Sequence, residues 1–543
     1  MKKKNVLFIM CDQLRYDYLG CSGHPAIKTP NIDALARRGV RFTNTYCQSP
    51  ICGPSRMSAY TGRYVSSHGS TSNFTPLRIS EKNIGHHLNP LGVRTLLVGK
   101  THIVPDKEGM ERLGIEPGSM IGVHHAQAGF EAVERDDGIH PDTMVNPNLR
   151  YNEYLKSRGY TDDDNPWHWA ANSVDGEQGV RSGFFNDEVD KPARVSDEES
   201  ETPYMTRRAM DFLAEDDGEK PWLLHLSYIK PHWPYVAPAP YNSMYSASDV
   251  KPPVRSDGEL KDQNPLMKFF TDRVSGKTFS KEEAREKVIP VYMGLITQID
   301  DQLGILFDFM RERGQLDNTI IVFTSDHGDY MGDHWMGDKD YFHDPSVKVP
   351  LIIVDPDPKA DGTRGTEDNS LVELIDLLPT FIEYYGGEVQ KNILDGSSLV
   401  GKIRGEHPEW RDYVISEYDY SLQVFRPKTN RMPLDCRSYM VATEEWKLIH
   451  APGYPPVLFD LKNDPDELID LGRSDDHEAV RQALYKLLTH WSLQYRQRAT
   501  WTEEKNLQMT GIEEQMGVLI GYWDEQDAKG KDPGILPTRK TPT

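Results

Sequence analysis

Long hydrophobic runs are the first feature that this 543-residue sequence lacks. No stretch approaches the ~20 consecutive apolar residues of a membrane-spanning helix, so we expect no membrane partner. The amino-terminal MKKKNVLFIMCDQ combines a basic tip with a short apolar run, as a signal peptide does. The run from Val6 to Cys11, however, is shorter than the hydrophobic region of a signal peptide, has no small-residue cleavage site and stops at Asp12. We interpret it as a buried first strand.

Cysteine is also scarce, with five residues in the whole chain. An odd number scattered through a chain of this length does not suggest a disulfide framework. The cysteines are Cys11, Cys21, Cys47, Cys52 and Cys436. The sequence therefore predicts a cytoplasmic protein with reduced thiols.

Positive charge is in deficit, since 62 Lys and Arg residues face 84 Asp and Glu residues and the net charge is −22. Binding to nucleic-acid phosphates needs clustered Lys and Arg, which argues against a nucleic-acid partner. The composition, 37 % hydrophobic and 27 % charged, is that of an ordinary globular protein. If the substrate is a small anion, the cations that hold it must be gathered locally.

Strand and helix signals alternate along the chain, which is typical of a large, mostly parallel sheet covered by helices. A helix is predicted over Thr29 to Gly39, with Thr29 as its N-cap, and a longer one over Ala284 to Arg313, where apolar residues recur on one face. The predicted strands are Asn5 to Met10, Thr95 to Val98, Trp222 to Tyr228, Thr319 to Thr324 and Pro350 to Val354. We therefore expect an α/β fold.

The character of the chain changes along its length, and we predict two packed regions. Residues 1–405 form a catalytic α/β domain, within which the polar stretch 110–205 is an insertion that walls a substrate pocket. Residues 406–499 form a smaller α+β subdomain, and residues 500–543 form a tail. Because Trp501, Tyr522 and Trp523 would be costly to expose, we expect the tail to pack on another subunit of a homo-oligomer, a dimer or tetramer.

Polar side chains follow two of the predicted strands directly. Cys11-Asp12-Gln13 comes after the first strand, and Ser325-Asp326-His327-Gly328-Asp329 comes after the strand over Thr319 to Thr324. In α/β sheets ligands lie outside the carboxyl ends of the strands. Two carboxylates, an amide and an imidazole there could enclose one divalent cation. The alternative for each Asp taken singly is a helix N-cap.

The stretch SPICGPSRMSAYTGR, residues 49–63, places a cysteine at the mouth of a predicted helix. Pro54 is tolerated in a first helical turn, and Gly62 stands where a helix commonly ends. Cys52 would face the positive end of this helix, with Arg56 one turn on, a setting that favours a thiolate or a bound anion. The alternative is a buried small hydrophobic residue.

Further cations follow other predicted strands. They are Lys100 and His102 after Thr95 to Val98, Lys230 and His232 after Trp222 to Tyr228, and Lys339 thirteen residues beyond Asp326. Singly, each lysine reads as a surface charge and each histidine as a structural residue. Together they would surround a metal ion with positive charge, which suits binding and cleavage of a small tetrahedral oxyanion ester.

The order of these residues resembles the type I sulfatase family, within the alkaline-phosphatase-like superfamily. Cys52-Gly53-Pro54-Ser55-Arg56, followed by Thr61-Gly62-Arg63, looks like the family signature in which C-x-P-S-R precedes [ST]-G-R. The resemblance covers nearly the whole chain apart from the insertion and the tail. Further segments that resemble the family, in family order, are Asn5 to Asp12, Thr29 to Gly39, Gly99 to His102, Lys230 to His232, Thr324 to Asp329, Val349 to Ile353, Asp376 to Thr380, Leu394 to Leu399 and Leu458 to Pro465.

The resemblance implies a modified nucleophile. Cys52 would be oxidised to formylglycine (3-oxoalanine) by a formylglycine-generating enzyme, and one hydroxyl of its hydrated aldehyde would attack the ester. The implied ligands of one divalent ion are Asp12, Gln13, residue 52, Asp326 and His327.

The resemblance also assigns roles to the surrounding residues. Arg56 would hold the diol, and His102 would take the proton of its second hydroxyl. Lys100 and Lys339 would grip the ester oxygens, and His232 would protonate the leaving group or share that role with Lys339. Asn73 matches a substrate contact of members related to phosphonate hydrolases.

Two positions depart from the commonest sulfatase pattern, because Gln13 and His327 stand where many members have Asp and Asn. Phosphonate monoester hydrolases and choline-sulfatase-like members resemble this variant, so manganese is possible beside calcium. Lys100 and His102, by contrast, are the sulfatase choice. We therefore expect hydrolysis of sulfate esters first, with phosphonate monoesters or phosphodiesters as the alternative. A metal-free thiolate hydrolase and a non-catalytic binding protein are further alternatives.

Overall fold

A mixed eight-stranded sheet forms the centre of the protein in the computed structural model, which describes residues 4–138, 149–161, 165–175, 179–494, 500–510, 512 and 526. The strands of the whole chain are β1 (Asn5–Asp12), β2 (Val40–Tyr46), β3 (Arg94–Gly99), β4 (Glu131–Arg135), β5 (Asn172–Asp175), β6 (Gly179–Ser182), β7 (Trp222–Pro231), β8 (Thr319–Ser325), β9 (Lys348–Val354), β10 (Thr366–Glu373), β11 (Val414–Asp419), β12 (Arg437–Ala442), β13 (Trp446–His450) and β14 (Val457–Asp460).

The helices cover both faces of this sheet and one face of a smaller sheet. They are α1 (Pro30–Arg38), α2 (Cys52–Thr61), α3 (Val65–His68), α4 (Ile84–Leu88), α5 (Lys107–Arg112), α6 (Met120–Ala126), α7 (Arg150–Ser157), α8 (Trp167–Ala171), α9 (Glu201–Glu215), α10 (Pro265–Thr271), α11 (Val274–Phe279), α12 (Glu282–Glu312), α13 (Asp344–Val347), α14 (Leu377–Tyr384), α15 (Val400–Ile403), α16 (Phe425–Thr429), α17 (Glu478–Gln494) and α18 (Glu503–Gln508).

The strand order of the large sheet is β10-β2-β9-β8-β1-β7-β3-β4. Every neighbouring pair is parallel except the two that involve β9. The prediction of a mostly parallel α/β sheet is therefore confirmed. Because β8, β1, β7 and β3 are adjacent and parallel, the residues that follow them meet at one edge of the sheet.

Strand β1 lies in the middle of the sheet and is buried on both faces. Val6, Phe8 and Met10 point into one hydrophobic core, whereas Leu7 and Ile9 point into the other, which also receives α9 and α12. This alternation is the period of a β-strand, and burial on both sides explains the continuous apolar run. The run that resembles a signal peptide is thus the central strand of the fold.

The helix predicted over Thr29 to Gly39 forms as α1, but its cap differs from the prediction. The Thr29 side chain caps no backbone N–H of α1. Instead the Asp300 carboxylate of α12 accepts hydrogen bonds from the backbone N–H groups of Asn31 and Ile32, at 3.1 and 2.7 Å. The N-terminus of α1 is therefore satisfied by a residue far away in the sequence.

A small antiparallel sheet, β11-β12-β13-β14, follows the large one and is covered by α17. Trp491 of α17 and Leu448 of β13 lie in its separate core. A smaller C-terminal α+β unit is thus present, as predicted, while the boundaries 406 and 499 stay a prediction.

The region predicted as an insertion supplies β4 to the edge of the large sheet, so it is partly integrated into the fold. Its boundaries, 110 and 205, stay a prediction. In the tail, Trp501 is 45 % exposed, and Tyr522 and Trp523 lie outside the described residues. Packing of the tail on another subunit remains a prediction. Within the described part of the chain, no helix has the length and apolar character needed to span a membrane.

Candidate active site

The site is built where β1 and β8 end and α2 begins. Asp12 is the last residue of β1, and Asp326 and His327 follow β8 directly. Potential ligand atoms of Asp12, Cys52, Asp326 and His327 all lie within 4.8 Å of one another, and all four residues are buried. The structure thus brings together residues that the sequence separates by more than three hundred positions.

Helix α2 starts at Cys52 itself, so the cysteine lies at the N-terminus of the predicted helix, as its first residue. Pro54 is the third helical residue, where the missing N–H costs nothing because the first N–H groups of a helix have no partner within it. The Gly53 N–H donates to Asn73 Oδ1 at 2.8 Å. Gly62 ends the helix as predicted, with a left-handed φ of 65°.

The Cys52 thiol is surrounded by cationic side chains. Its Sγ lies 3.1 Å from His327 Nε2 and 3.2 Å from Lys339 Nζ, and 3.7 Å from Asp12 Oδ1. Burial opposes ionisation, but Lys100, Lys339 and His327 together hold the pKa of Cys52 well below its ordinary value. Residue 52 therefore occupies a position that stabilises a negative charge.

Arg56 lies one turn into α2 and forms hydrogen bonds with both aspartates of the site. Its guanidinium donates to Asp326 Oδ2 at 2.8 Å and to Asp12 Oδ2 at 3.3 Å. It also donates to the Lys100 carbonyl and to Ser227 Oγ, at 3.0 and 2.7 Å. The side chain is fully buried. Arg56 thus fixes the carboxylates and compensates their charge, rather than opening onto a substrate.

Lys100 and Lys339 both lower the pKa of the Cys52 thiol. The Lys100 ammonium pairs with Asp12, while Lys339 Nζ donates to Gln13 Oε1 and to His232 Nε2, each at 3.0 Å. Burial and the positive charge of Lys339 lower the pKa of His232 to about 3. His232 is therefore neutral, and the proton nearest to its Nε2 belongs to Lys339.

His102 and Asn73 complete the set of predicted residues. His102 has a left-handed φ of 55°, and its backbone N–H donates to Asp137 Oδ1 at 2.9 Å. A hydrogen bond between His102 and the Cys52 side chain contributes to the lowered pKa of Cys52. Asn73 is half-buried and supports the start of α2, so its role as a substrate contact stays a prediction.

Carboxylate oxygens of Asp12 and Asp326 and the imidazole of His327 lie close together beside residue 52, which fits a divalent ion. Oxygen donors with one imidazole suit calcium or manganese. Gln13 Oε1 lies 3.0 Å from Lys339 Nζ, so its role as a further ligand stays a prediction. Asp326 raises the pKa of His327 to about 9 against the effect of burial, so binding of an ion at Nε2 would release a proton.

A second buried cluster, Glu259, His334 and His343, also has close potential ligand atoms. The two imidazole rings are stacked, with centroids 3.9 Å apart and planes only 10° from parallel. An ion bound to an imidazole nitrogen lies in the plane of that ring, so one ion cannot lie in both planes. This cluster is therefore not a metal site.

Sequence reasoning missed the residues that hold the predicted ones in place. Asp137 anchors the His102 loop, and Asp329, Asp338 and Tyr235 surround the amide of Gln13. The only sequence feature that could have indicated Asp329 and Tyr235 is their nearness to predicted site residues. Asp329 lies two residues beyond His327, and Tyr235 lies three residues beyond His232.

Known proteins match the chain along most of its length. A model of the sulfatase family matches residues 4–387, and a model described as N-sulphoglucosamine sulphohydrolase, C-terminal, matches residues 332–494. The multifunctional alkaline phosphatase superfamily protein PehA of Trinickia caryophylli is 33 % identical over 523 residues, which cover 92 % of this chain and 97 % of that protein. An arylsulfatase of Clostridium perfringens is 28 % identical over 500 residues, which cover 90 % of this chain and 94 % of that protein.

A solved structure gives the same result for the fold. The phosphonate monoester hydrolase of Agrobacterium radiobacter superposes with a TM-score of 0.80 at 29 % identity, covering 91 % of this chain and 96 % of that one. The motif around Cys52, the sheet and these matches agree. The chain belongs to the sulfatase family and has the alkaline-phosphatase-like fold.

Proposed function

We propose that this protein hydrolyses sulfate monoesters, with residue 52 as the nucleophile after oxidation of Cys52 to formylglycine. The observation that carries the proposal is the ring of cationic side chains around the Cys52 thiol. Lys339 and His327 contact the sulfur at 3.2 and 3.1 Å, and Lys100 pairs with Asp12 beside it. Fixed charges at this spacing stabilise the negative charge of a tetrahedral ester as a bond breaks.

Oxidation of Cys52 replaces its thiol by an aldehyde. Dioxygen is the oxidant, the carbon–sulfur bond breaks with release of hydrogen sulfide, and a separate formylglycine-generating enzyme is the catalyst. The hydrated aldehyde carries two hydroxyls where Sγ now lies. One hydroxyl of residue 52 attacks the sulfur atom of the ester, and the alcohol leaves. His102 takes the proton of the second hydroxyl, carbon–oxygen cleavage releases sulfate, and the aldehyde forms again.

The leaving alcohol receives its proton from the pair formed by Lys339 and His232. The Lys339 ammonium lies 3.0 Å from His232 Nε2, and His232 Nδ1 is held 2.6 Å from the Trp233 carbonyl. This geometry allows Lys339 to donate directly or through the imidazole. A divalent ion, Ca²⁺ or Mn²⁺, would supply Lewis-acid stabilisation of charge on oxygen.

An aryl leaving group suits the surroundings of His232. The half-buried Trp233 ring lies 4.3 Å from the His232 ring, and the exposed Phe184 ring lies 5.9 Å from Trp233. Two aromatic rings beside a buried catalytic centre, one half-buried and one exposed, offer an apolar surface for the organic part of the ester.

Hydrolysis of phosphonate monoesters or phosphodiesters is the second candidate function. It is favoured by the TM-score of 0.80 to a phosphonate monoester hydrolase and by the 33 % identity to a protein named multifunctional. Sulfate monoesters and these phosphorus esters each carry one negative charge, so some activity on both is expected.

Elemental analysis of the purified protein is expected to find about one divalent ion per chain. Asp12→Ala and Asp326→Ala each remove a carboxylate ligand and should lower metal affinity roughly tenfold or more, together with the rate. His327→Asn should change the preference between Ca²⁺ and Mn²⁺ more than it changes folding.

Asp355→Ala is the matched control for metal content. Asp355 is a buried carboxylate that pairs with Lys4 and Arg404, away from the site. Its loss should leave the metal content unchanged. Full metal content in both Asp12→Ala and Asp326→Ala would place the ion elsewhere.

The rank order of substrates tests the proposed function. We expect kcat/KM for an aryl sulfate to exceed that for a matched aryl phosphonate monoester, and both to exceed that for an aryl phosphate monoester with its extra charge. A tenfold preference corresponds to only ~1.4 kcal/mol. Lys100→Ala and His102→Ala should each lower sulfate turnover, and His102→Ala should accumulate the sulfated form of residue 52, visible by mass spectrometry.

His24→Ala serves as the control for loss of a buried imidazole, because His24 contacts Tyr18 and the backbone outside the site. It should keep the wild-type substrate ratio. A phosphonate ester that is the better substrate by a wide margin would make the second candidate the answer.

A further inference from the structure

Gln13 is an uncharged side chain at the centre of a charged site, and its backbone is fixed on both sides. The residue is fully buried and has a left-handed φ of 64°. Its N–H donates to Asp326 Oδ1 at 3.0 Å, and its carbonyl accepts from the Tyr292 hydroxyl at 2.7 Å. Because both backbone groups are held, the direction in which the Gln13 side chain extends is fixed as well.

The two ends of the Gln13 amide have different neighbours. On the nitrogen side lie the Asp329 carboxylate, the Tyr235 hydroxyl at 3.2 Å and Asp338 Oδ1 at 3.2 Å. On the oxygen side, Lys339 Nζ donates to Oε1 at 3.0 Å. A carboxylate accepts only and an ammonium donates only. One orientation of the amide satisfies both ends. In a flipped amide the NH2 group would face the Lys339 ammonium, a donor against a donor, and the oxygen would face the Asp329 carboxylate, an acceptor against an acceptor.

Asp329 is held more firmly than the other two neighbours on the nitrogen side. Its carboxylate also accepts from the Tyr235 hydroxyl and, at 3.0 Å, from the Met331 N–H. Asp338 is half-buried, and its Oδ1 also accepts from Trp233 Nε1 at 3.3 Å. Of the three, Asp329 is therefore the acceptor that fixes the amide.

We propose that Asp329 is a positioning residue, which turns Oε1 of Gln13 toward Lys339 and the divalent ion and keeps the amide nitrogen away. This inference rests on the proposed function, since it takes Gln13 as a ligand. It also explains how a neutral residue serves at this position.

Asp329→Asn tests the proposal with little change of shape. The oxygen of the new amide can still accept from Met331, so its nitrogen would face the nitrogen of Gln13. We expect the Gln13 amide to flip and the affinity of the metal-stripped, full-length protein for Mn²⁺ to fall about 10- to 100-fold, measured by titration calorimetry. Asp300→Asn is the matched control, because it removes a buried carboxylate of α12 that caps α1 away from the site. This variant should keep the wild-type affinity for Mn²⁺.

A charge exchange between the two positions gives the sharper result. Gln13→Glu alone would place a carboxylate against the carboxylates of Asp329 and Asp338, and it should weaken Mn²⁺ binding. Gln13→Glu combined with Asp329→Asn restores a donor against an acceptor, and it should recover at least tenfold of the affinity lost in the Gln13→Glu variant. Wild type and the double variant each have one amide and one carboxylate at these two positions.

The outcomes separate this inference from the proposed function. Wild-type affinity in Asp329→Asn, or a double variant no better than Gln13→Glu, would overturn the positioning role while leaving a metal-dependent hydrolase intact. A wild-type protein that binds no Mn²⁺ or Ca²⁺ would overturn both. All variants are compared from one expression host, with the modified fraction of Cys52 measured in each.

Discussion

Replacing Cys52 by alanine is expected to lower sulfate-ester hydrolysis by roughly 10⁴-fold or more, because it removes the nucleophile. Its side chain is 1 % exposed and contacts His327 and Lys339, so no neighbouring group can take its place. Alanine fits the space of the thiol at the first position of α2, where it favours the helix. The variant should therefore fold and retain its circular dichroism while losing turnover.

The chemical state of residue 52 decides which nucleophile acts. Mass spectrometry of the peptide that contains Cys52, from aerobically expressed protein, should find the aldehyde in at least a fraction of the chains. Cys52→Ser keeps one hydroxyl but lacks the second, so it should react at most once and then stop. Full activity with every copy as an unmodified thiol would disprove the formylglycine mechanism and favour a thiolate hydrolase.

Replacing Arg56 by alanine is expected to destabilise the fold by about 3–5 kcal/mol, the usual cost of leaving buried charges without their partner. Arg56 is the guanidinium that contacts both Asp12 and Asp326. Its loss removes the cation that the two buried carboxylates share, and it leaves Asp12 with Lys100 and Asp326 with His327. Denaturant unfolding followed by fluorescence measures the change, and bound metal should fall in the same variant because the carboxylates lose their orientation.

Arg63→Ala is the matched control for the effect at the site. Arg63 lies two residues beyond the end of the same helix. It is also buried and pairs with Glu81 at 2.8 Å. Its loss should destabilise the protein as well, yet leave the metal content of the folded fraction unchanged. Unaltered stability in Arg56→Ala would mean that the two aspartates do not need this guanidinium.

The sequence predicts those strands that are buried on both faces. Such strands read as continuous apolar runs, as in Asn5–Asp12 and Thr319–Ser325. Strand β2 and the edge strand β10 were missed, because Thr366–Glu373 begins with polar, exposed residues that carry no apolar run. The antiparallel direction of β9 was not predictable either, since direction depends on the path of the chain and not on the strand's own residues.

The site residues that could be predicted from the sequence are those that lie at the ends of strands, where the chemistry requires a particular residue type. Asp12 ends a strand, and Asp326 and Lys100 each follow a strand directly. The parallel sheet brings these strand ends together. Two contacts were not predictable, because each joins residues about three hundred positions apart. They are the cap of α1 by Asp300 and the contact of Gln13 with Asp329. Such contacts depend on how two elements pack, and no local spacing encodes them.

The interleaved order of the strands divides the site between two parts of the chain. Asp12, Cys52 and Lys100 come before the segment 101–221, whereas His232, Asp326 and Lys339 come after it. Since β1 lies between β7 and β8, a chain cut in the segment between Lys100 and β7 would leave an incomplete site on each fragment. Reassociation of two such fragments would have to insert β1 between its neighbours, so recovered catalysis would report that the central sheet had closed.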